Sequence, residues 1–264
     1  MAISKTIKHY SNSKATHYER IFIDNSVRRA GGLTYNDDST NYNRWRVMIK
    51  LSKPSKMPCK SWSLEALDTC PASTDSNGEL VPACVGCYAT DGNYRFPNVK
   101  APRVSNKQDW KRDEWVQDMV EELDTERYFR WFDSGDLYSL ALAAKVLQVM
   151  QQTPWCKHWL PTRMHKFDKF GPVLAAMDTL ANVVVRLSSD GINGELVADA
   201  VNSSTIIQTI SHSNPALSVC PAGDQDGKCK KCRQCWNKDI KIVAYIAHGR
   251  KMAKQYKNII AVGG

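Results

Sequence analysis

Tyr128-Phe129-Arg130-Trp131-Phe132-Asp133-Ser134-Gly135-Asp136 is followed at once by a run in which Leu140, Ala143, Ala144, Leu147 and Met150 recur at helical spacing. A short aromatic strand that ends in polar residues and feeds an amphipathic helix is one βα unit. Pro154 stops that helix, and the pattern then repeats. His158-Trp159-Leu160 reads as a strand ending in Pro161-Thr162-Arg163, and 167–180 as a helical segment across Gly171-Pro172. Val183 to Leu187 reads as a strand ending in Ser188-Ser189-Asp190. Thr205 to His212 and Ile240 to His248 read as two more strands, and Trp115, Met119, Val120 and Leu123 mark a helix before the first unit. Strands alternating with helices imply a parallel sheet. Polar residues end five of the strands: Asp133, Ser134 and Asp136; Thr162 and Arg163; Arg186, Ser188 and Ser189; His212; His248. In a βα barrel those ends face the active site. No glycine-rich phosphate loop follows the first strand, and Gly31-Gly32 and Gly263-Gly264 stand isolated. The expectation is therefore an α/β fold, a partial or full βα barrel rather than a doubly wound sheet.

Upstream, Arg44 to Lys53 alternates like a strand, while Cys59 to Arg103 is loop-rich and studded with prolines. Residues 1–43 are polar and read as an extension; residues 44–264 read as a single domain. A long irregular stretch needs an organiser, and the cysteines supply a candidate. Of the nine, Cys59, Cys70, Cys84 and Cys87 form one cluster, and Cys220, Cys229, Cys232 and Cys235 a second, with Cys156 left over. Disulfides serve small secreted domains, whereas this chain has 264 residues, 42% of them apolar, and no signal-peptide or membrane-length apolar stretch. A cytoplasmic metalloprotein is expected. Cys229-x2-Cys232-x2-Cys235 matches the spacing of iron–sulfur runs better than that of paired zinc ligands. For the first cluster, spacing leaves two sets open. One is a three-cysteine [4Fe–4S] site of Cys70, Cys84 and Cys87; the other is a closed four-thiolate zinc site that includes Cys59. The barrel pattern turns the choice to iron–sulfur. Cys59 is then either a ligand of the second cluster or a buried thiol.

Other polar residues read as parts of the fold. Cys156 and His158 read as buried strand residues rather than a nucleophile–base pair, and His165 as a loop histidine. Trp62, Trp110, Trp115, Trp131, Trp155, Trp159 and Trp236 read as core and cluster-shielding residues. Charge is uneven: residues 1–60 carry a balance of +8, the middle −6 and residues 220–264 +7, for a net of +9. Basic flanks favour an anionic partner, nucleic acid first among them.

Cys84-Val85-Gly86-Cys87-Tyr88-Ala89, Tyr94 to Lys100, Arg130 to Asp136, Trp159 to Arg163 and Cys220 to Trp236, in that order, resemble the bacteriophage gene-product-88-like family, over about Met57 to His248. That resemblance implies a protein acting in the host cell cytoplasm. A looser resemblance is to the radical S-adenosylmethionine superfamily, whose C-x3-C-x2-C motif is matched here only by Cys84-x2-Cys87. Cys70 stands thirteen residues before Cys84 instead of three. The looser resemblance implies an open [4Fe–4S] cluster on Cys70, Cys84 and Cys87, with Ser134, Asp136, Arg163 and Ser188 positioning S-adenosylmethionine and substrate. It also implies an auxiliary cluster on the C-terminal cysteines, and the substrate expected is nucleic acid or a nucleotide. Two rivals stand beside it. One is a non-enzymatic zinc protein that binds nucleic acid or a host protein, and the other an iron–sulfur electron carrier or sensor.

Overall fold

The structure, a computed structural model, describes residues 48–209 and 215–262. In chain order its elements are β1 (Lys60–Trp62), α1 (Pro82–Val85), α2 (Pro97–Asp109), α3 (Trp115–Glu122) and β2 (Tyr128–Trp131). They continue with α4 (Leu140–Gln152), β3 (Lys157–Thr162), α5 (Gly171–Asp178), β4 (Val183–Ser188) and β5 (Ser203–Ile207). The last are β6 (Leu217–Val219), β7 (Ile242–Ile246) and α6 (Arg250–Val262). All seven strands are parallel, in the order β1-β2-β3-β4-β5-β7-β6. From β1 to β5 each new strand adds on the same side. Right-handed crossovers that always step one way leave their helices on one face. That face holds the main core, where Trp62, Phe129, Trp131, Leu160, Val183 and Val185 meet α3, α4 and α5. β1 and β6 are the edge strands, and among the described residues they do not pair with each other.

α4 shows why the elements form where they do. The Ser139 hydroxyl accepts the Leu142 N–H at 3.2 Å and caps the helix. Leu142, Ala143, Val146, Leu147, Val149 and Met150 are buried. Each large apolar side chain there stabilises by roughly 2 kcal/mol, against a few tenths for intrinsic helix preference, so packing holds the helix. The expected segment 167–180 opens with a 3-10 turn, Asp168–Phe170, and is α-helical from Gly171 to Asp178, with Pro172 in the first turn, where its missing N–H costs nothing.

Three expectations change. Arg44 to Val47 lies outside the described residues, and 48–51 form no strand; Ser52 makes a lone antiparallel bridge to Ser61. The loop-rich stretch before Arg103 contains β1 and the start of α2. α2 escapes periodicity because it carries Pro97 and Pro102 and buries only Arg103 and Asn106. β5 ends at Ile207, and His212 lies outside the described residues.

By strand alternation and register, Tyr128, Arg130, Trp159, Val184, Arg186, Val243 and Tyr245 share the face opposite the helices. A parallel sheet requires cover on both faces. Here the C-terminal cysteine-bearing segment supplies it. Cys59, Trp159, Cys235, Trp236 and Val243 form a second buried cluster, with Met57, Tyr128, Cys220, Ile240 and Tyr245 against it.

Candidate metal centre

The chain leaves β2 through Phe132 and Gly135, both at positive φ (54° and 78°). Gly135 is required: a Cβ there would lie 2.6 Å from Leu64 Cβ and 2.7 Å from Thr69 Oγ1. The turn is pinned from several sides. Arg103 of α2 pairs with Asp133 at 2.8 Å and donates to Ser134 Oγ at 2.8 Å. Ser134 Oγ donates to the Leu64 carbonyl at 2.6 Å. Asp136 Oδ1 accepts from Thr162 Oγ1 and the Leu137 N–H, and Oδ2 from the Arg163 N–H at 2.9 Å. Ser134 and Asp136 are buried, with their side chains engaged by the protein. Of the four candidate cofactor contacts, Arg163 and Ser188 are the half-buried ones. Arg163 donates to the Ser189 carbonyl at 2.8 Å, and Ser188 faces Ser204 Oγ at 3.4 Å.

Cys70, Cys84 and Cys87 gather beside these strand ends. The thirteen-residue gap folds out and returns. The Val81 N–H bonds the Ser73 carbonyl at 2.9 Å, and Thr74 bridges Leu80. Asp75 Oδ1 accepts from the Asn77 and Glu79 N–H groups, and Gly78 turns the tip at positive φ. A small hairpin excursion thus brings Cys70 back to α1, which carries Cys84; the Cys87 N–H bonds the Cys84 carbonyl at 3.1 Å. The Ala83 N–H bonds the Asp190 carbonyl at 3.0 Å and ties α1 to the end of β4. Lys166 joins the carbonyls of Ala72 and Thr74 to the Asp190 carboxylate.

The electrostatics bind the same residues together. Burial pushes the Cys70 thiol up to about 12, and the neighbouring Asp136 carboxylate, Cys84 and Cys87 push the same way. Burial also raises Cys84 and Cys87, while the Arg163 guanidinium pulls both down. Burial therefore favours the protonated thiol at each of the three positions.

Cys59 belongs elsewhere. It lies just before β1, buried in the cluster that covers the other face, with Trp159, Cys235 and Trp236. Cys220, Cys229 and Cys232 influence one another, and Cys235 interacts with Cys220. The eight cysteines therefore divide as three and five. All nine cysteines are free thiols. Among the described residues, no three or more Cys, His, Asp or Glu side chains stand at the mutual distances of one metal ion's shell. Cysteine is by donor type a ligand for thiophilic metals.

Several residues change role. Arg186 does not line the strand ends. It is fully buried and donates to the carbonyls of Gln234, Cys235, Asn237 and Ile240, which pins the cysteine-bearing loop to β4. Trp155 is 40% exposed, whereas the other six tryptophans singled out are buried. His158 and Cys156 are core residues, and His165 is half-buried. Arg103, Lys166 and Asp190 shape the site without any periodic signal, because their roles depend on elements far apart in sequence. Asp190 alone stood at a recognisable strand end.

These features define a parallel α/β protein with three thiols at the C-terminal ends of its strands and five more covering the face away from the helices. The chain belongs to the phage Gene product 88 family, whose model matches residues 30–238. No curated protein and no solved structure matches it.

Proposed function

We propose that the protein is an iron–sulfur enzyme of the radical S-adenosylmethionine type, with Cys70, Cys84 and Cys87 as ligands of its catalytic cluster. The observation that carries this reading is that Cys59 packs in the cluster on the other face, which leaves three thiols at the strand ends, Cys84 and Cys87 near Arg163 and Cys70 near Asp136. Three thiolates leave one iron of a cube without a protein ligand. The sequential parallel strand order supports a partial barrel around that site. Cys70, Cys84 and Cys87 would hold a [4Fe–4S] cluster, which when bound would supply one-electron reducing chemistry toward the sulfonium of S-adenosylmethionine.

The chain's own part is to hold and orient. Asp136 fixes the backbone of Arg163 and the hydroxyl of Thr162, so the β3 end is rigid. Arg163, braced by the Ser189 carbonyl and by Asp190 at 3.3 Å, offers its cationic edge to the thiols and to a carboxylate or phosphate. Ser188 and Ser204 present hydroxyls from β4 and β5 on the face away from the helices. Nucleic acid or a nucleotide is the proposed substrate class, supported by the net charge of +9.

The test is anaerobic reconstitution with iron and sulfide, reduction, and incubation with S-adenosylmethionine. 5′-Deoxyadenosine is expected; Cys87→Ala abolishes it and Cys232→Ala spares it in part. A fully loaded, reduced wild-type protein that forms none overturns the reading and leaves the zinc-stapled binding protein in its place.

A further inference from the structure

α6 carries Arg250, Lys251, Lys254 and Lys257 and, from Arg250 to Val262, no acid. Its inner edge is fixed, because Met252 and Tyr256 are buried and pack with Ala83 and Ile192. On a helix of 3.6 residues per turn, Arg250, Lys254 and Lys257 then fall within a sector of about 60° on the opposite side, in a stripe about 10 Å long. All three are exposed, as is Lys251 on the flank. Helix physics disfavours this stripe. Arg250 and Lys254 are like charges four residues apart, and Lys254 and Lys257 like charges three apart. Arg250 and Lys251 also put positive charge in the first turn, at the positive end of the helix dipole.

Elsewhere the protein neutralises its helix cations. On α2, Lys100 pairs with Glu65 at 2.8 Å, Arg103 with Asp133 at 2.8 Å and Lys107 with Asp68 at 2.6 Å. On α6, Arg250 alone has an acid, Asp91 at 3.4 Å; among the described residues Lys251, Lys254 and Lys257 form no ion pair. Lys251 donates to Thr90 Oγ1, which donates to the Cys87 carbonyl at 2.8 Å, so the stripe begins beside the strand-end thiols. We propose that this face of α6 holds the phosphate backbone of a nucleic acid, with Arg250, Lys254 and Lys257 as phosphate contacts. A spaced row of cations matches a polyanion. Met252 and Tyr256 are engaged in the core, so they are not offered to a bilayer. No large apolar side chain is exposed from Arg250 to Lys257, so the face lacks the anchor around which a protein interface is built. The proposal rests on the nucleic-acid part of the function proposed above, not on its cluster chemistry, and gives that partner a surface.

The test is fluorescence anisotropy of the full-length protein with labelled DNA and RNA oligonucleotides of about 30 residues, single-stranded and duplex, across a salt series. The double variant Lys254→Glu/Lys257→Glu should raise Kd about tenfold or more and lower the salt slope by about two. Lys157→Glu/Lys241→Glu changes the net charge equally, on exposed lysines at the other ends of β3 and β7, and should stay within about twofold of wild type. Equal losses in the two variants reduce the effect to net charge and overturn the proposal, as does unchanged binding in the α6 variant. Should that variant fail to fold, lysine acetylation of the wild type decides. Bound oligonucleotide should shield Lys254 and Lys257 and leave Lys157 and Lys241 reactive; equal modification of Lys254 and Lys257 with and without it overturns the proposal. Binding to anionic phospholipid vesicles that the α6 variant loses, with its oligonucleotide binding intact, gives the face to a membrane and also overturns it. Wild type that binds no oligonucleotide at the lowest salt removes the nucleic-acid partner here and in the proposed function alike. Wild type that binds through α6 and forms no 5′-deoxyadenosine upholds this proposal and overturns the cluster chemistry alone.

Discussion

His158 shows how one side chain acquires a pH dependence from its neighbours. Trp131 Nε1 donates to its Nδ1 at 3.2 Å, so Nδ1 is the bare nitrogen. Nε2 then carries the hydrogen and donates to Thr153 Oγ1 at 2.8 Å, whose hydroxyl donates to the Val149 carbonyl. A proton on Nδ1 would face the indole N–H. Burial holds the group down at about 3, against 6.5 when exposed. Between those values the unfolded chain binds a proton that the fold refuses. Stability is therefore full above pH 6.5 and falls as the pH drops toward 3, by up to about 1.4 kcal/mol per pH unit. His165 and His248 are also lowered and act in the same direction. The His158 share is thus read as a difference. Urea melts of wild type and His158→Gln from pH 7.5 to 4 should show a shallower acid slope in the variant, with a plateau about 1–2 kcal/mol lower from the altered hydrogen bonds. Equal slopes would remove His158 as a source of acid sensitivity.

Among the elements, α1 and α6 form the least obvious contact. α1 is a single turn, Pro82–Val85, capped by Gly86, and its neighbour is the C-terminal helix far along the chain. Ala83 and Ile192 pack with Met252 and Tyr256 of α6, and the Tyr256 hydroxyl donates to the Ile192 carbonyl. Gly86 makes the approach feasible. A Cβ there would stand 2.6 Å from Met252 Cε and 3.3 Å from Met252 Cα. The side chain could swing away, but the backbone could not. Gly86→Ala should therefore loosen α6 by about 1–3 kcal/mol, seen as roughly tenfold or faster hydrogen exchange in α6 with the sheet unchanged. Unaltered exchange would mean that the helix shifts at no cost.

On the scale of the whole molecule, charge and surface set the partners. Among the described residues no helix is long and apolar enough to cross a membrane. With Lys+Arg 36 and Asp+Glu 27, the chain is basic. If phosphates are its counter-charge, binding of DNA or RNA should weaken linearly with log salt concentration, at a slope close to the number of phosphates neutralised. Fluorescence anisotropy on single- and double-stranded oligonucleotides from 50 to 300 mM salt measures it. Binding absent even at low salt on every oligonucleotide would remove nucleic acid from the partners.

The sequence by itself determined the parallel α/β class and most strand positions, and it showed three cysteines at steps of three. Those features are local: alternation marks β2, β3 and β4, helical spacing marks α3 and α4, and three thiols at steps of three need only seven residues. Tertiary structure decided the rest. α2 is polar and carries an internal proline, so nothing apolar announces it, yet its Arg103 holds the turn after β2. The long gap between Cys70 and Cys84 hides a hairpin that closes through backbone bonds no side-chain pattern encodes. Arg186 looked like a strand-end residue and is a buried clamp, because strand parity sent it to the face that the cysteine-bearing loop covers. Cys59 stands eleven positions before Cys70 and packs instead with Trp159, Cys235 and Trp236 on the other face. Spacing along the chain cannot assign such a residue, since β1 fixes the direction in which the chain enters the sheet, and only the packed sheet decides which thiols share one side.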